Sequence, residues 1–348
     1  VSELAESAVQ AALVERLTWA RLGWKHVAAA DLPRQLDGVL LEEHVRKALI
    51  RLNPVIAERP ERVEEVLPRL RATLLTVVND GLVAANEEMT AWLCGRKTLK
   101  FLGTDDYVAV RLIDFDDPQA NDLVVSTEVV FAPGQHKDRR YDLVLFVNGF
   151  PLVVGETKTP ISEHKSWLNG ANDLHTTYEV ETPAFFVPNV LSFATEGKEL
   201  RYGAVRQPPE FWLPWSRTTD ELLLPGLASV LQSAGLLLDP RNLLDILRTY
   251  TLFSNRSSTH GGYVVKVIPR YPQVEAVDAI VARVRDDTKR QGLVWHHQGS
   301  GKTLLMAFAA AKMRLELDLD APTILVVLDR LDLIEQVQSE FASVGIPG

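Results

Sequence analysis

The chain has 348 residues, 46% hydrophobic and 24% charged, with a formal net charge of −9; this is enough apolar material for two packed domains and excludes a disordered chain. Its single cysteine, Cys94, excludes an internal disulfide, and the start VSELAESAVQ lacks the basic and apolar regions of a secretory signal, so a cytoplasmic location is expected. The apolar stretch LLLPGLASVLQSAGLLL is broken by Pro225, Ser229, Gln232 and Ser233 and does not read as a membrane span, while the acidic balance leaves nucleic-acid contact to local clusters such as Arg96, Lys97 and Lys100 or Lys137, Arg139 and Arg140, which by themselves read as a solvated face.

Residues 3–22 and 61–80 carry apolar positions at helical spacing, as in Leu4, Ala8 and Ala12 or Val63, Val66, Leu70 and Leu74. From about residue 107 the pattern changes to short β-branched runs, YVAVRLIDF, LVVSTEVVF, YDLVLFV and PLVVGETK, punctuated by Asp-Asp-Pro, Pro-Gly and Asn-Gly. These predict successive, largely antiparallel strands. A helix over about 161–180 and the apolar run AFFVPNVLSF follow. The Pro-rich RQPPEFWLPW reads as a boundary, 219–250 as helices and FSNRSSTHGGY as a polar linker. Then come a helix at 273–289, a strand GLVW, the string HHQGSGKT, another helix and a strand TILVVLD.

Charges inside apolar strands are unusual, because burying one without a partner costs several kcal/mol. Asp142 begins one strand of the YDLVLFV/PLVVGETK hairpin, and Glu156 and Lys158 end the other on a shared face. A two-residue Asn148-Gly149 turn would send Asp142 and Glu156 to opposite faces. An odd loop of Asn148, Gly149 and Phe150, or a bulge, brings them together, and one of these is predicted. Two neighbouring carboxylates make an oxygen-rich site for Mg²⁺, with Lys158 placed to orient water or neutralise charge on phosphate. The alternative is an edge aspartate and an exposed Glu156–Lys158 pair.

The strings RRYDLVLFVNGFPLVVGETKTP and RLIDFDDPQANDLVVSTEV resemble the nuclease domain of the restriction (motor, R) subunit of type I restriction-modification enzymes, a domain of the PD-(D/E)xK class. TPAFFVPNVLSFATEGKELRYGAV and LLDPRNLLDILRTYTLF look like the same family, so the likeness runs through most of the chain from about residue 107. The resemblance implies Asp142 and Glu156 as metal ligands and Lys158 as the catalytic lysine. It also implies a further glutamate from the N-terminal helix, for which Glu6 is the candidate, a surface role being the alternative. Two positions depart from the family pattern. Tyr141 stands where proline is common, and in GANDLHTTYEV the Gln-x-x-x-Tyr pattern keeps Tyr178 but has Leu174 at the glutamine spacing, leaving Asp173 or His175 as substitutes.

In HHQGSGKT, Gly299 and Gly301 let backbone amides turn toward phosphate, Lys302 reaches the β and γ phosphates, and Thr303 ligates Mg²⁺. With Gln298 and Ser300 these residues make an ATP-binding loop of the x-x-G-x-G-K-T form, His296 standing where a stricter loop has glycine. RYPQVEAV resembles the family's segment ahead of the motor, with Gln273 a candidate for reading adenine or else an exposed helix start. VVLDRLDLIEQ resembles the next motor motif, which delivers Asp329 and Arg330 toward DNA.

The expected architecture is α/β: a restriction-endonuclease-like nuclease domain over 1–205, a helical linker region over 206–262 and a truncated first RecA-like motor domain over 263–348. The expected function is Mg²⁺-dependent cleavage of double-stranded DNA within an ATP-driven translocating enzyme, alongside methylation and specificity subunits and away from membranes. The piece itself is expected to bind ATP without hydrolysing it. Rival readings are a nuclease-helicase of another restriction or repair system, a non-catalytic docking scaffold and a P-loop nucleotide kinase, for which no acceptor or lid pattern is present.

Overall fold

The computed structural model describes residues 6–134, 137–159, 166–216, 226–256, 263–289, 291–319, 322–328, 334, 337–338 and 341–342. The chain divides into two compact units, Val1–Trp215 with Thr219–Leu247, and Ser216–Thr218 with Arg248–Gly348.

The first unit is built on a six-stranded mixed sheet, in the order β1 (Lys25–His26), β2 (Leu123–Phe131), β3 (Arg139–Val147), β4 (Phe150–Thr157), β5 (Leu191–Thr195) and β6 (Leu200–Gly203). The β1–β2 and β4–β5 pairs are parallel, the others antiparallel. Tyr141–Val147 and all of β4 are buried. Such near-continuous apolar runs mark central strands covered on both faces. Helix α1 (Glu6–Leu17) packs against β2 and β4. A parallel β4–β5 pair requires a crossover, and it is made by α5 (Trp167–Asn172, continuing through Glu181), which packs on both strands.

Three further helices, α2 (Glu42–Leu52), α3 (Val63–Leu75) and α4 (Leu82–Leu93), are amphipathic. In α2 the buried set Val45, Ala48, Leu49 and Leu52 follows the helical repeat. Helices α6 (Leu227–Leu237) and α7 (Pro240–Asp245) also belong to this unit: α6 packs on α1, and Trp24 Nε1 donates to Leu238 O at 2.9 Å. The 206–262 stretch expected as a linker therefore divides between the units. Trp212 and Trp215 of its Pro-rich start are buried in the first.

The expected strand over YVAVRLIDF is not part of the sheet. Only Val108–Ala109 pair, with Thr98–Leu99. Beyond them the side chain of Asn53 does the pairing, donating to Arg111 O and accepting from Arg111 N, both at 2.8 Å, so the backbone is satisfied without a neighbouring strand.

In the second unit, β7 (Leu252–Arg256) and β8 (Tyr263–Val267) form an antiparallel hairpin where a linker was expected. The polar FSNR run joins the ladder because backbone groups, not side chains, make it. Helices α8 (Tyr271–Val284) and α9 (Lys302–Leu315) pack together, and Ala307 shares a small core with Val337, Phe341, Leu252, Leu304, Met306 and Leu328. The strands expected at GLVW and TILVVLD do not form over 292–295 and 322–328. A strand needs a hydrogen-bonded neighbour, and none of the described residues supplies one; Leu293, Trp295, Leu325 and Val327 stay exposed. Asp329 and Arg330 lie outside the described residues. No helix among the described residues is long and apolar enough to cross a membrane.

Candidate active site

The β3–β4 hairpin turns at Asn148 and Gly149, both with positive φ, and Val147 pairs with Phe150. That short register would separate the two acidic residues. A bulge after Pro151 shifts it by one, so that Leu145 faces Val153 and Leu143 faces Gly155. Continued one step, this pairing sets Asp142 across from Glu156. Of the two devices expected from the sequence, the hairpin uses the bulge.

Asp142 is 6% and Glu156 2% exposed. Asp142 Oδ2 accepts from both the backbone N and Oγ1 of Thr157, each at 2.8 Å. Because that hydroxyl spends its hydrogen on Asp142, it can only accept from Gln10 Nε2, which lies 3.0 Å away on α1. On the other side Glu156 Oε1 accepts from Lys158 Nζ at 2.7 Å and from the Tyr178 hydroxyl at 3.2 Å, while Glu156 Oε2 is buried without a partner among the described residues. Burial, reinforced by the charge of Asp142, pushes the Glu156 carboxyl up to about 8 against the pull of Lys158. Burial works against the charge of Lys158, but Glu156 and Asp173 outweigh it and raise the ammonium above its ordinary value. Burial first, and Glu156 second, raise the Tyr178 phenol.

Helix α5 approaches β4 closely at Gly170, where an added Cβ would stand 3.1 Å from Glu156 Cγ. Past Asn172 it widens into a π-helical turn over Asp173–Tyr178. Asp173 Oδ2 then lies 2.7 Å from Lys158 Nζ, and Tyr178 reaches Glu156. Of the two substitutes left open by the sequence, Asp173 is at the site. His175 turns away, 3.7 Å from Glu179, and Leu174 is buried. Tyr141, in place of the family's proline, stacks on Phe185 at 4.4 Å and sets its ring edge to Tyr178. Glu6 lies in the first turn of α1, half-buried, and one turn further along Gln10 joins the site's hydrogen bonds.

In the second unit Gly301 caps α9 in the left-handed region, φ 80° and ψ 40°, and Gly299 also has positive φ. Lys302 Nζ donates to the carbonyls of His296 and His297 at 3.3 and 3.0 Å, and Ser300 Oγ is buried without a partner among the described residues. Thr303 begins α9 beside Lys302, and Gln298 is exposed. Gln273 is buried; its amide donates to Gly301 O at 3.0 Å and accepts from Arg270 N at 2.8 Å, so in this structure it braces the loop rather than facing outward.

The family model for the type I restriction enzyme R protein N terminus matches residues 3–211, more than half of the chain, and so takes in α1, β3, β4 and α5 together. The chain belongs to the type I restriction enzyme R protein family.

A second model, SWI2/SNF2 ATPase, matches residues 272–347 of this R-family chain. Among curated relatives, the HindI endonuclease subunit of Haemophilus influenzae is 32% identical over 95% of this chain and 32% of its own length. The putative MjaIXP endonuclease subunit of Methanocaldococcus jannaschii is 24% identical over 97% of this chain and 34% of its own, and the putative MjaVIIP subunit of the same organism is 30% identical over 66% and 22%. The chain thus spans about a third of the length of the relatives that match nearly all of it. Two contacts of the candidate site lay beyond sequence reasoning. Gln10 is a neutral amide whose only signal is its place four residues after Glu6 on the same helical face, and Thr157 hides between the two charged residues it serves.

Proposed function

We propose that the first unit hydrolyses phosphodiester bonds of double-stranded DNA, as the nuclease part of an ATP-driven, DNA-translocating type I restriction enzyme that works with methylation and specificity subunits. The observation that carries this reading is Glu156 Oε2, which is buried beside a second carboxylate and has no hydrogen-bond partner among the described residues. Two such groups repel and desolvate poorly unless a cation joins them. No group of three or more His, Cys, Asp or Glu side chains suited to a metal occurs among the described residues. Mg²⁺ suits two carboxylates, since it keeps several of its waters. Asp142 and Glu156 are the residues that would hold it. When bound, such an ion polarises the scissile phosphate and lowers the pKa of a coordinated water.

The chain's own groups supply the rest. Thr157 holds Asp142 through Oδ2 with its backbone N and hydroxyl and so fixes the orientation of the carboxylate that would hold the ion. Lys158, 15% exposed in its side chain, brings an ammonium to the mouth of the site, where it neutralises charge on the phosphate. None of these groups reads a base, so cutting by this unit is independent of sequence and target choice falls to a partner. In the second unit the loop around Gly299, Gly301 and Lys302 is read as an ATP site in which phosphate oxygens replace the two histidine carbonyls at Lys302.

The test is Asp142→Ala in the full-length subunit within its assembled complex. DNA cleavage is expected to fall more than about 100-fold, beyond the cost of losing an outer-shell partner, with ATP hydrolysis retained. Cleavage at the unaltered rate would assign the chemistry elsewhere.

A further inference from the structure

We infer that Asp173 is a positioning residue for Lys158, and that the π-helical turn of α5 is what brings it to the site. The inference deepens the nuclease reading and rests on it. Lys158 Nζ sits between two carboxylates, 2.7 Å from Glu156 Oε1 and 2.7 Å from Asp173 Oδ2. The two partners differ in setting: the Glu156 side chain is 3% exposed and that of Asp173 46%. They also come from different elements, so a change at one does not drag the other along.

The shared ammonium has a consequence for any cation that enters. A divalent ion taken up on Glu156 Oε2 competes with the ammonium on Oε1, because one carboxylate's charge would then serve two neighbouring positive charges. A lysine held by Glu156 alone would either block the cation or, once displaced, swing away on its flexible four-carbon stem. Asp173 removes that choice. When Glu156 turns to the metal, Lys158 remains anchored from the helix side, within reach of the phosphate.

Helix geometry explains how Asp173 gets there. Asp173 and Tyr178 are five residues apart, and on a regular α-helix they would point about 140° away from one another. In a π turn the hydrogen bond closes from i to i+5, which stacks such residues over each other. Asp173 then meets Lys158 while Tyr178 meets Glu156, and the pair of charged side chains is held from a single helix. Neither neighbour could substitute. Leu174 is fully buried, and His175 is engaged with Glu179, its carbonyl accepting from Arg206 Nη1 at 2.8 Å.

The experiment is a double-mutant cycle in the full-length subunit, titrated calorimetrically with Mn²⁺ alone and without nucleotide, with Asp142→Ala defining the signal that belongs to this site. Asp173→Asn is expected to weaken Mn²⁺ binding about tenfold, and Asp173→Glu to recover to within about threefold of the parent. In a Lys158→Met background, Asp173→Asn should change Mn²⁺ affinity by less than about twofold, because its target is gone. In the assembled complex at saturating Mn²⁺, Asp173→Asn should lower the cleavage rate while leaving DNA affinity within about twofold, as a lysine that acts on the reacting phosphate requires. An equal loss of Mn²⁺ affinity with and without Lys158 would reduce Asp173 to a bystander charge, and no loss in either background would remove it from the site. If Asp142→Ala itself leaves Mn²⁺ binding and cleavage untouched, the nuclease reading fails and the positioning role with it. Loss at Asp142 with silence at Asp173 overturns the positioning role alone.

Discussion

Glu156 carries an electrostatic conflict at the centre of the candidate site, because its carboxyl is pushed from 4.5 to about 8, by burial first and by Asp142 second. Between those values the folded protein keeps a proton that the unfolded chain has released. The contribution of Glu156 to metal-free stability then falls as pH rises from about 4.5 to about 8 and is constant outside that window. The raised Lys158 does not interfere, since its stabilisation is lost only above its ordinary value of 10.5. The Glu156→Gln variant is expected to melt higher than the parent at pH 8 in the presence of a chelator, by an amount on the order of a few kcal/mol, and to show a flatter profile. Melting curves across the window check this; a parent whose melting temperature climbs through it contradicts the assignment. At this scale the sequence was readable wherever a charge interrupts an apolar strand, as at Asp142, Glu156 and Lys158. It was silent on Gln10 and Thr157, whose part depends on which hydroxyl hydrogen goes where.

Two irregular elements aim these side chains, the bulge in β4 and the π turn in α5. The need for the first was legible, because strand alternation forces an odd offset if Asp142 and Glu156 are to share a face. The second was not: helical periodicity over 167–181 looks ordinary, and the wider turn is recognised only once Asp173 and Tyr178 are seen to converge. Thr176 lies exposed within that turn. Deleting it is expected to restore a regular helix in which the former Asp173 and Tyr178 are four apart and still share a face. Melting temperature should rise while Asp173-dependent Mn²⁺ affinity persists. Loss of that affinity would mean that the π geometry itself, beyond the facing of the two residues, is required. The misread elements have a common cause. YVAVRLIDF and TILVVLD have strand composition, yet a strand exists only when a neighbour accepts its hydrogen bonds. Asn53 took that role for the first, and no described residue does for the second.

Across the whole chain, each compact unit carries its own candidate site, with the carboxylates and Lys158 in one and the phosphate loop in the other. The proposed division of labour predicts a clean separation of phenotypes. In the full-length subunit Lys302→Ala should abolish ATP hydrolysis and translocation but leave Mn²⁺ binding at Asp142 and Glu156 within about twofold, since sites that share no partner act additively. Joint loss of both properties would show that the two sites are not independent.

From the sequence alone came the candidate residues Asp142, Glu156 and Lys158, the strand hairpin and the Gly-x-Gly-Lys-Thr loop, because side-chain charge, alternation and that spacing are local properties of the chain. Tertiary structure alone decided the bulge as the means of register, the hydrogen bond from Gln10 of α1 to Thr157, and Asp173 as the second anchor of Lys158. Each of those depends on which distant backbone or side-chain group completes a hydrogen bond or ion pair, and such completion is settled only when separate elements pack.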